Sequence, residues 1–214
     1  MKRTFVGFGF GPIQAGLFAF EAQRSGQFDR IVVAEVLPDL VAAVRKAGGC
    51  YHVNVATRQG IVRHAVPGVE MLNPAIPSDR ERLVEACAEA TELCTALPSV
   101  DLYNKGPAAP AAVLADAFAR RTGTGASSAV LYAAENHNQA AELLAAAVHS
   151  RRAEAAQAPV QYLNTVIGKM SGVIRDADRI ACPELAPVAL GDERAFLVEE
   201  FHHILIERIH RIQR

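Results

Sequence analysis

The sequence predicts an α/β fold built on a doubly wound, mainly parallel sheet. Three observations carry that expectation. The chain opens with an apolar run, Thr4-Phe5-Val6-Gly7-Phe8, then a glycine-rich turn, Gly9-Phe10-Gly11-Pro12-Ile13-Gln14-Ala15-Gly16, then an amphipathic run from Leu17 to Ala22. That order reads strand, turn, helix. A second apolar run, Ile31-Val32-Val33-Ala34, is rich in β-branched residues, as suits a strand buried on both faces, and it ends at Glu35. Beyond it, short strand-like runs alternate with longer helical ones, the pattern of right-handed β-α-β crossovers.

Each element has its own local reason. The first helix is expected from Ile13 to Arg24, stopping at Gly26, and the second strand from Arg30 to Glu35. A helix from Leu40 to Lys46 ends at the Gly48-Gly49 pair, a favoured C-terminal stop. Tyr51-His52-Val53-Asn54-Val55 alternates with period two. After the turn Thr57-Arg58-Gln59-Gly60, the run Ile61 to Val66 is its hairpin partner, a small β insertion in the nucleotide-type fold. Ser78-Asp79-Arg80-Glu81 has capping-box spacing and predicts a helix running to Leu97, halted by Pro98. Val100 to Tyr103 then reads as a strand, Ala111 to Arg121 as a helix and Thr122 to Ser127 as a small-residue loop. Ala129 to Tyr132 is a strand, residues 133–138 its C-terminal loop, and Gln139 to His149 a helix.

Composition narrows the function. The chain has 214 residues, 50% hydrophobic, with a formal net charge of −1, enough for one large domain with a substantial core. Near-neutral charge gives no electrostatic case for nucleic acid or an anionic membrane surface. Cys50, Cys87, Cys94 and Cys182 are scattered without a C-x-x-C pair, so they read as core thiols in a reducing compartment. Met1-Lys2-Arg3 before apolar residues has the look of a signal peptide, but Pro12, Gln14, Glu21 and Arg24 interrupt it. No span and a cytoplasmic location are expected.

The glycine turn and Glu35 together predict a dinucleotide site of the Rossmann-like kind. Backbone N–H groups at a helix N-terminus suit a pyrophosphate. The usual spacing is G-x-G-x-x-G: Gly9 and Gly11 fill the first two places, and Gln14 stands in the third. Phe10, Pro12 and Ile13 complete the expected cofactor-binding turn. A carboxylate at the end of the second strand, Glu35, is placed to accept from ribose hydroxyls and to repel a 2′-phosphate, favouring NAD over NADP. A glycine turn serving geometry alone and a merely solvent-facing Glu35 are the competing readings. Because ligands in such sheets bind beyond the carboxyl ends of the strands, residues 9–14, Glu35, Asn104-Lys105 and Glu135-Asn136-His137-Asn138 are expected to meet in one crevice.

Four stretches carry a family resemblance: Gly9 to Gly16; Tyr51-His52-Val53-Asn54-Val55; Ala133-Ala134-Glu135-Asn136; and Tyr162-Leu163-Asn164-Thr165-Val166-Ile167-Gly168-Lys169-Met170. In order, they resemble the motifs of the N-terminal domain of the polyol-specific long-chain dehydrogenases, the mannitol-1-phosphate 5-dehydrogenase and mannitol dehydrogenase group. The resemblance spans nearly the whole chain. It implies metal-free hydride transfer between NAD and a sugar alcohol or its phosphate. It also implies that Asn136 polarises the substrate oxygen, an amide N–H₂ being a suitable neutral donor. Asn136 as a cap of the following helix is the alternative.

Departures are equally definite. Gly168 and Lys169 stand where the family has an acid and an arginine. The family's general base, a lysine in a K-x-x-x-x-N-x-x-H pattern of a helical C-terminal domain, has no counterpart here. Lys169 is read as a substrate-phosphate contact, an exposed lysine or, if desolvated, a substitute base. Residues 1–200 are accordingly expected to form the NAD-binding domain. Residues 201–214 are expected to lead toward an absent C-terminal domain, with little turnover by this chain alone. Glu199, His202 and His203 lack metal-ligand spacing, so no metal is expected. The amphipathic closing segment, Glu207 to Arg214, could pack on a second domain or subunit. A non-catalytic NAD(H)-binding module and an interaction protein that kept the fold remain as alternatives.

Overall fold

A computed structural model of the chain describes residues 2–122 and 127–210. Most of the predicted loop from Thr122 to Ser127, and the last four residues of the closing segment, lie outside the described residues. The strands β1 (Thr4–Phe8), β2 (Arg30–Ala34), β5 (Val69–Leu72), β6 (Glu92–Thr95), β7 (Ala129–Ala133), β8 (Val160–Ile167) and β11 (Ile204–Ile206) form one sheet in the order β11-β8-β7-β6-β1-β2-β5. Its pairs are parallel apart from β11 on β8. Strand order reverses between β1 and β6, the topological switch point at which such sheets open a crevice. The doubly wound α/β prediction holds.

Both faces of the sheet are covered, which explains its β-branched runs. Val6, Phe8, Val32 and Ala34 pack with α3 (Pro77–Glu89), α4 (Pro110–Thr122) and α5 (Ala140–Arg151). Phe5, Ile31 and Val33 point the other way, toward α1 (Ala19–Ser25), α2 (Pro38–Lys46) and a second sheet. Strand side chains alternate faces with period two, so neighbouring residues feed opposite cores.

The second sheet is larger than the predicted insertion. The hairpin of β3 (Tyr51–Thr57) and β4 (Gly60–Val66) forms, but β10 (Ala195–Glu199) and β9 (Ser171–Ile174) extend it to the order β4-β3-β10-β9. β3 and β10 are parallel and distant in sequence. The buried Asn54 side chain fastens them, donating to the carbonyls of Phe196 and Ala186 at 2.9 Å each.

Three local expectations are corrected. The helix expected to reach Leu97 ends at Glu89; Ala90 turns extended, and Glu92–Thr95 becomes a central strand. Its sequence has ordinary helix propensity, but Leu93 and Cys94 bury completely between β1 and β7, and tertiary pairing overrides propensity. The capping box does not form. Ile76 is the N-cap and makes no side-chain cap bond, Pro77 opens the helix, and Asp79 instead accepts from Asn73 N–H and Arg45. Val100–Asn104 is a 3₁₀ turn rather than a strand, started by Ser99, whose hydroxyl accepts from the Asp101 N–H. Residues 69–72, given no element from sequence, form the sheet edge beside β2. At the other edge, β11 joins the sheet from within the segment expected to leave the domain.

Candidate functional site

The glycine turn leaves β1 and bends sharply at Gly9, whose φ is +82° and whose added Cβ would sit 2.8 Å from the Ala96 carbonyl oxygen. Any side chain here meets both backbone strain and a collision with the loop after β6. Pro12 and Ile13 are already helical, and the first helical hydrogen bond runs from Ala15 N–H to the Gly11 carbonyl. The earlier N–H groups of this terminus, at Gly11, Ile13 and Gln14, are those a helix leaves without internal acceptors. A Cβ on Gly11 would meet nothing within 4 Å, so the turn faces open space.

Helix geometry then departs from the regular form. Gln14–Phe18 is π-helical, with Ala19 N–H reaching the Gln14 carbonyl. Within that stretch, the Ala15 carbonyl accepts from the buried Tyr51 hydroxyl at 2.7 Å. Gln14, the residue in the third glycine place, is fully buried, and neither of its amide atoms has a hydrogen-bond partner among the described residues. Its amide lies over Gly7, whose added Cβ would fall 2.2 Å from Gln14 Nε2. Absence of a side chain at position 7 makes room for the one at position 14. Gly16 supplies the next close approach, against Val198 of β10, 2.6 Å from an added Cβ.

Glu35 stands directly after β2 and is 8% exposed. One carboxylate oxygen accepts from Phe10 N–H at 2.7 Å, the other from Val36 N–H at 2.7 Å and Leu37 N–H at 2.9 Å. The carboxylate therefore ties the second strand end to the glycine turn. With about four acceptor sites on a carboxylate, one remains for a ligand hydroxyl.

Around these groups lies a cavity of about 680 Å³. Gly9, Phe10, Gly11, Pro12, Ile13, Glu35 and Lys105 all line it, so the structure brings most of the predicted crevice together. Gln14 lies behind the wall. Asn104 is engaged elsewhere, accepting from Arg151 at 3.0 Å. Asn136 is exposed two residues beyond Ala134, a lining residue, and its side chain has no hydrogen-bond partner among the described residues. The N-terminus of α5 is served by Asn164 of β8, which accepts from Ala141 N–H at 2.9 Å and donates to Glu142. His137 is exposed and its Nδ1 accepts from Gln139 N–H.

Glu135 is buried beneath the crevice floor. It accepts from the Thr95 hydroxyl and Leu97 N–H, at 2.9 Å each, and from the Tyr103 hydroxyl. Burial pushes its pKa up, and these donors pull against that shift. Lys169 lies apart from the cavity. Its ammonium donates to the carbonyls of Glu199 and Phe201, an internal use of the charge expected on a substrate. Desolvation lowers its pKa, against the opposing pull of Glu199 and Glu21.

Sequence reasoning missed the opposite wall: Pro74, Leu97, Val173, Arg175, Arg194 and Phe196. Phe196 is held by an edge-on contact with Phe10, ring centroids 5.6 Å apart. No local signal marks these residues: Pro74 and Leu97 follow strands not read from the sequence, and pairing of β10 with β3 and β9 brings in Val173, Arg175, Arg194 and Phe196. Among the described residues, no three His, Cys, Asp or Glu side chains gather as a metal site. No described helix is long and apolar enough to cross a membrane.

The mannitol dehydrogenase Rossmann domain family matches residues 3–213. The chain belongs to this family. Among solved structures it is similar to a D-sorbitol dehydrogenase in substrate-free form, with TM-score 0.78 and 13% identity over 100% of this chain and 52% of that one. It is also similar to mannitol 2-dehydrogenase of Pseudomonas fluorescens, solved as a ternary complex with NAD and D-mannitol, with TM-score 0.73 and 12% identity over 100% of this chain and 51% of that one. An octopine dehydrogenase is more distant, TM-score 0.51 at 12% identity, covering 92% of this chain and 39% of that one. The chain thus spans about half the length of the sorbitol and mannitol dehydrogenases it resembles. No curated protein matches it. Family membership makes this a Rossmann domain of the mannitol dehydrogenase type.

Proposed function

We propose that this chain is the NAD-binding part of an oxidoreductase acting on a sugar alcohol or sugar-alcohol phosphate. The observation that carries the reading is the crevice at the switch point, lined by an open helix N-terminus and by Glu35 beside it. Its volume suits a dinucleotide portion, and the bare backbone at Gly11 leaves room for a pyrophosphate. Gly11, Ile13 and Gln14 N–H groups would bind the pyrophosphate. The free acceptor site of Glu35 would take a ribose hydroxyl, favouring NAD. Bound NAD would supply the hydride acceptor. Asn136, exposed two residues beyond the lining Ala134 but not itself lining the cavity, would donate to the substrate oxygen and stabilise its developing charge.

Lys169 is better assigned to holding the end of β10, since its charge is spent on two backbone carbonyls. The general base and the rest of the substrate site would come from a second domain or subunit. Its proposed place is the β11 edge, where Val166, Met170 and Leu205 are 65%, 75% and 71% exposed. Four free thiols fit the reducing cytoplasm.

A fluorescence titration of the purified chain with NADH tests the reading. Saturable binding is expected, and Glu35→Gln should weaken it severalfold, by loss of a charge-assisted hydrogen bond. Absence of saturable NADH binding would remove the cofactor role and favour an interaction module.

A further inference from the structure

The crevice wall facing Glu35 carries two arginines, and only one of them is paired with carboxylates. β9 and β10 are antiparallel with Ile174 opposite Ala195, so the residues flanking that pair, Arg175 and Arg194, are neighbours where the strands reach the cavity. Both line it. Arg194 is anchored at 12% side-chain exposure by Asp192 and by Asp39, the latter at 2.7 Å. Asp39 sits in the first turn of α2, four residues after Glu35. That bond locates the arginine pair at the ribose end rather than over the glycine turn.

Arg175 differs from its neighbour. It is exposed and makes no side-chain hydrogen bond or ion pair with any described residue. Glu35, the opposing charge, already receives three backbone N–H groups, which disperse its negative charge without removing it. A guanidinium presents a fork of donors matched to phosphate oxygens, and an arginine near the second-strand acid is the arrangement that admits a 2′-phosphate.

We propose that Arg175 receives the ribose 2′-phosphate of NADP(H), so that the crevice accepts both nicotinamide dinucleotides while Glu35 keeps NAD(H) the tighter ligand. The inference rests on the nucleotide reading above and extends it to a second cofactor. Parallel fluorescence titrations with NADH and NADPH, on the full chain and on Arg175→Ala, test it. The unmodified chain should bind both, NADPH more weakly. Arg175→Ala should weaken NADPH about tenfold, the scale of one charge-assisted phosphate contact, and NADH less than about twofold. Arg175 is exposed, so circular dichroism of the variant should be unchanged. An equal loss for both cofactors would mean that Arg175 meets the shared pyrophosphate, and would overturn the proposal. So would NADPH binding that ignores the substitution, or NADH binding without NADPH binding in the unmodified chain; in these cases the nucleotide reading stands. Binding of neither cofactor would overturn both.

Discussion

Gln14 decides how the first helix meets the sheet. A fully buried amide with neither atom hydrogen-bonded is costly, and only the bare Gly7 beneath it makes the position possible. The two residues should therefore be energetically coupled. Gly7→Ala alone would drive a methyl group into the Gln14 amide and should cost about 2 kcal/mol by urea unfolding. Adding Gln14→Ala should return a good part of that loss, making the double variant more stable than the sum of the singles by at least ~0.5 kcal/mol. Strict additivity would show that the contact carries no strain. From sequence, Gln14 was a member of the cofactor-binding turn occupying its third glycine place. Its partner at position 7 lies in the preceding strand, and only the packing of helix on strand reveals the contact.

Among the elements, the ends of β6 and β7 and the 3₁₀ turn after Pro98 converge on Glu135. Burial raises its pKa, so between the ordinary carboxylate range and that raised value the folded chain binds more protons than the unfolded one. Stability from this group is therefore greatest at low pH and declines as pH rises through that window. Glu135→Gln should flatten the fall in melting temperature as pH rises above the ordinary carboxylate range. A slope unchanged by the substitution would mean that other groups carry it. Element by element, the glycine turn, β1, β2, β7 and their helices were legible because local signals and periodicity agree there. β6 was not: four residues of mixed propensity become a strand only because two neighbours wait on either side. Glu135 itself was expected to face the crevice with its loop; burial beneath it, with three donors, followed from that same misread strand.

At the scale of the molecule, two cores flank the sheet and lock away half of the thiols. Cys87 and Cys94 are fully buried, with burial pushing both thiols up in pKa, whereas Cys50 and Cys182 are partly exposed. An aromatic disulfide reagent should therefore titrate about two thiols in the native chain and all of them after denaturation. Four fast-reacting thiols in native buffer would contradict the packing. The sequence by itself determined the α/β class, the nucleotide-type turn, Glu35 at the second strand end and the family, because each depends on residues close in the chain whose spacing encodes local geometry. Tertiary structure alone decided the rest: the second sheet, the switch point between β1 and β6, and the crevice wall of Val173, Arg175, Arg194 and Phe196. Those features arise from pairing between segments apart in sequence, as between Phe5 and Glu92 at the switch point and between Asn54 and Phe196 in the second sheet. Burial and hydrogen-bond satisfaction select such pairings, and no pattern within either segment announces its partner.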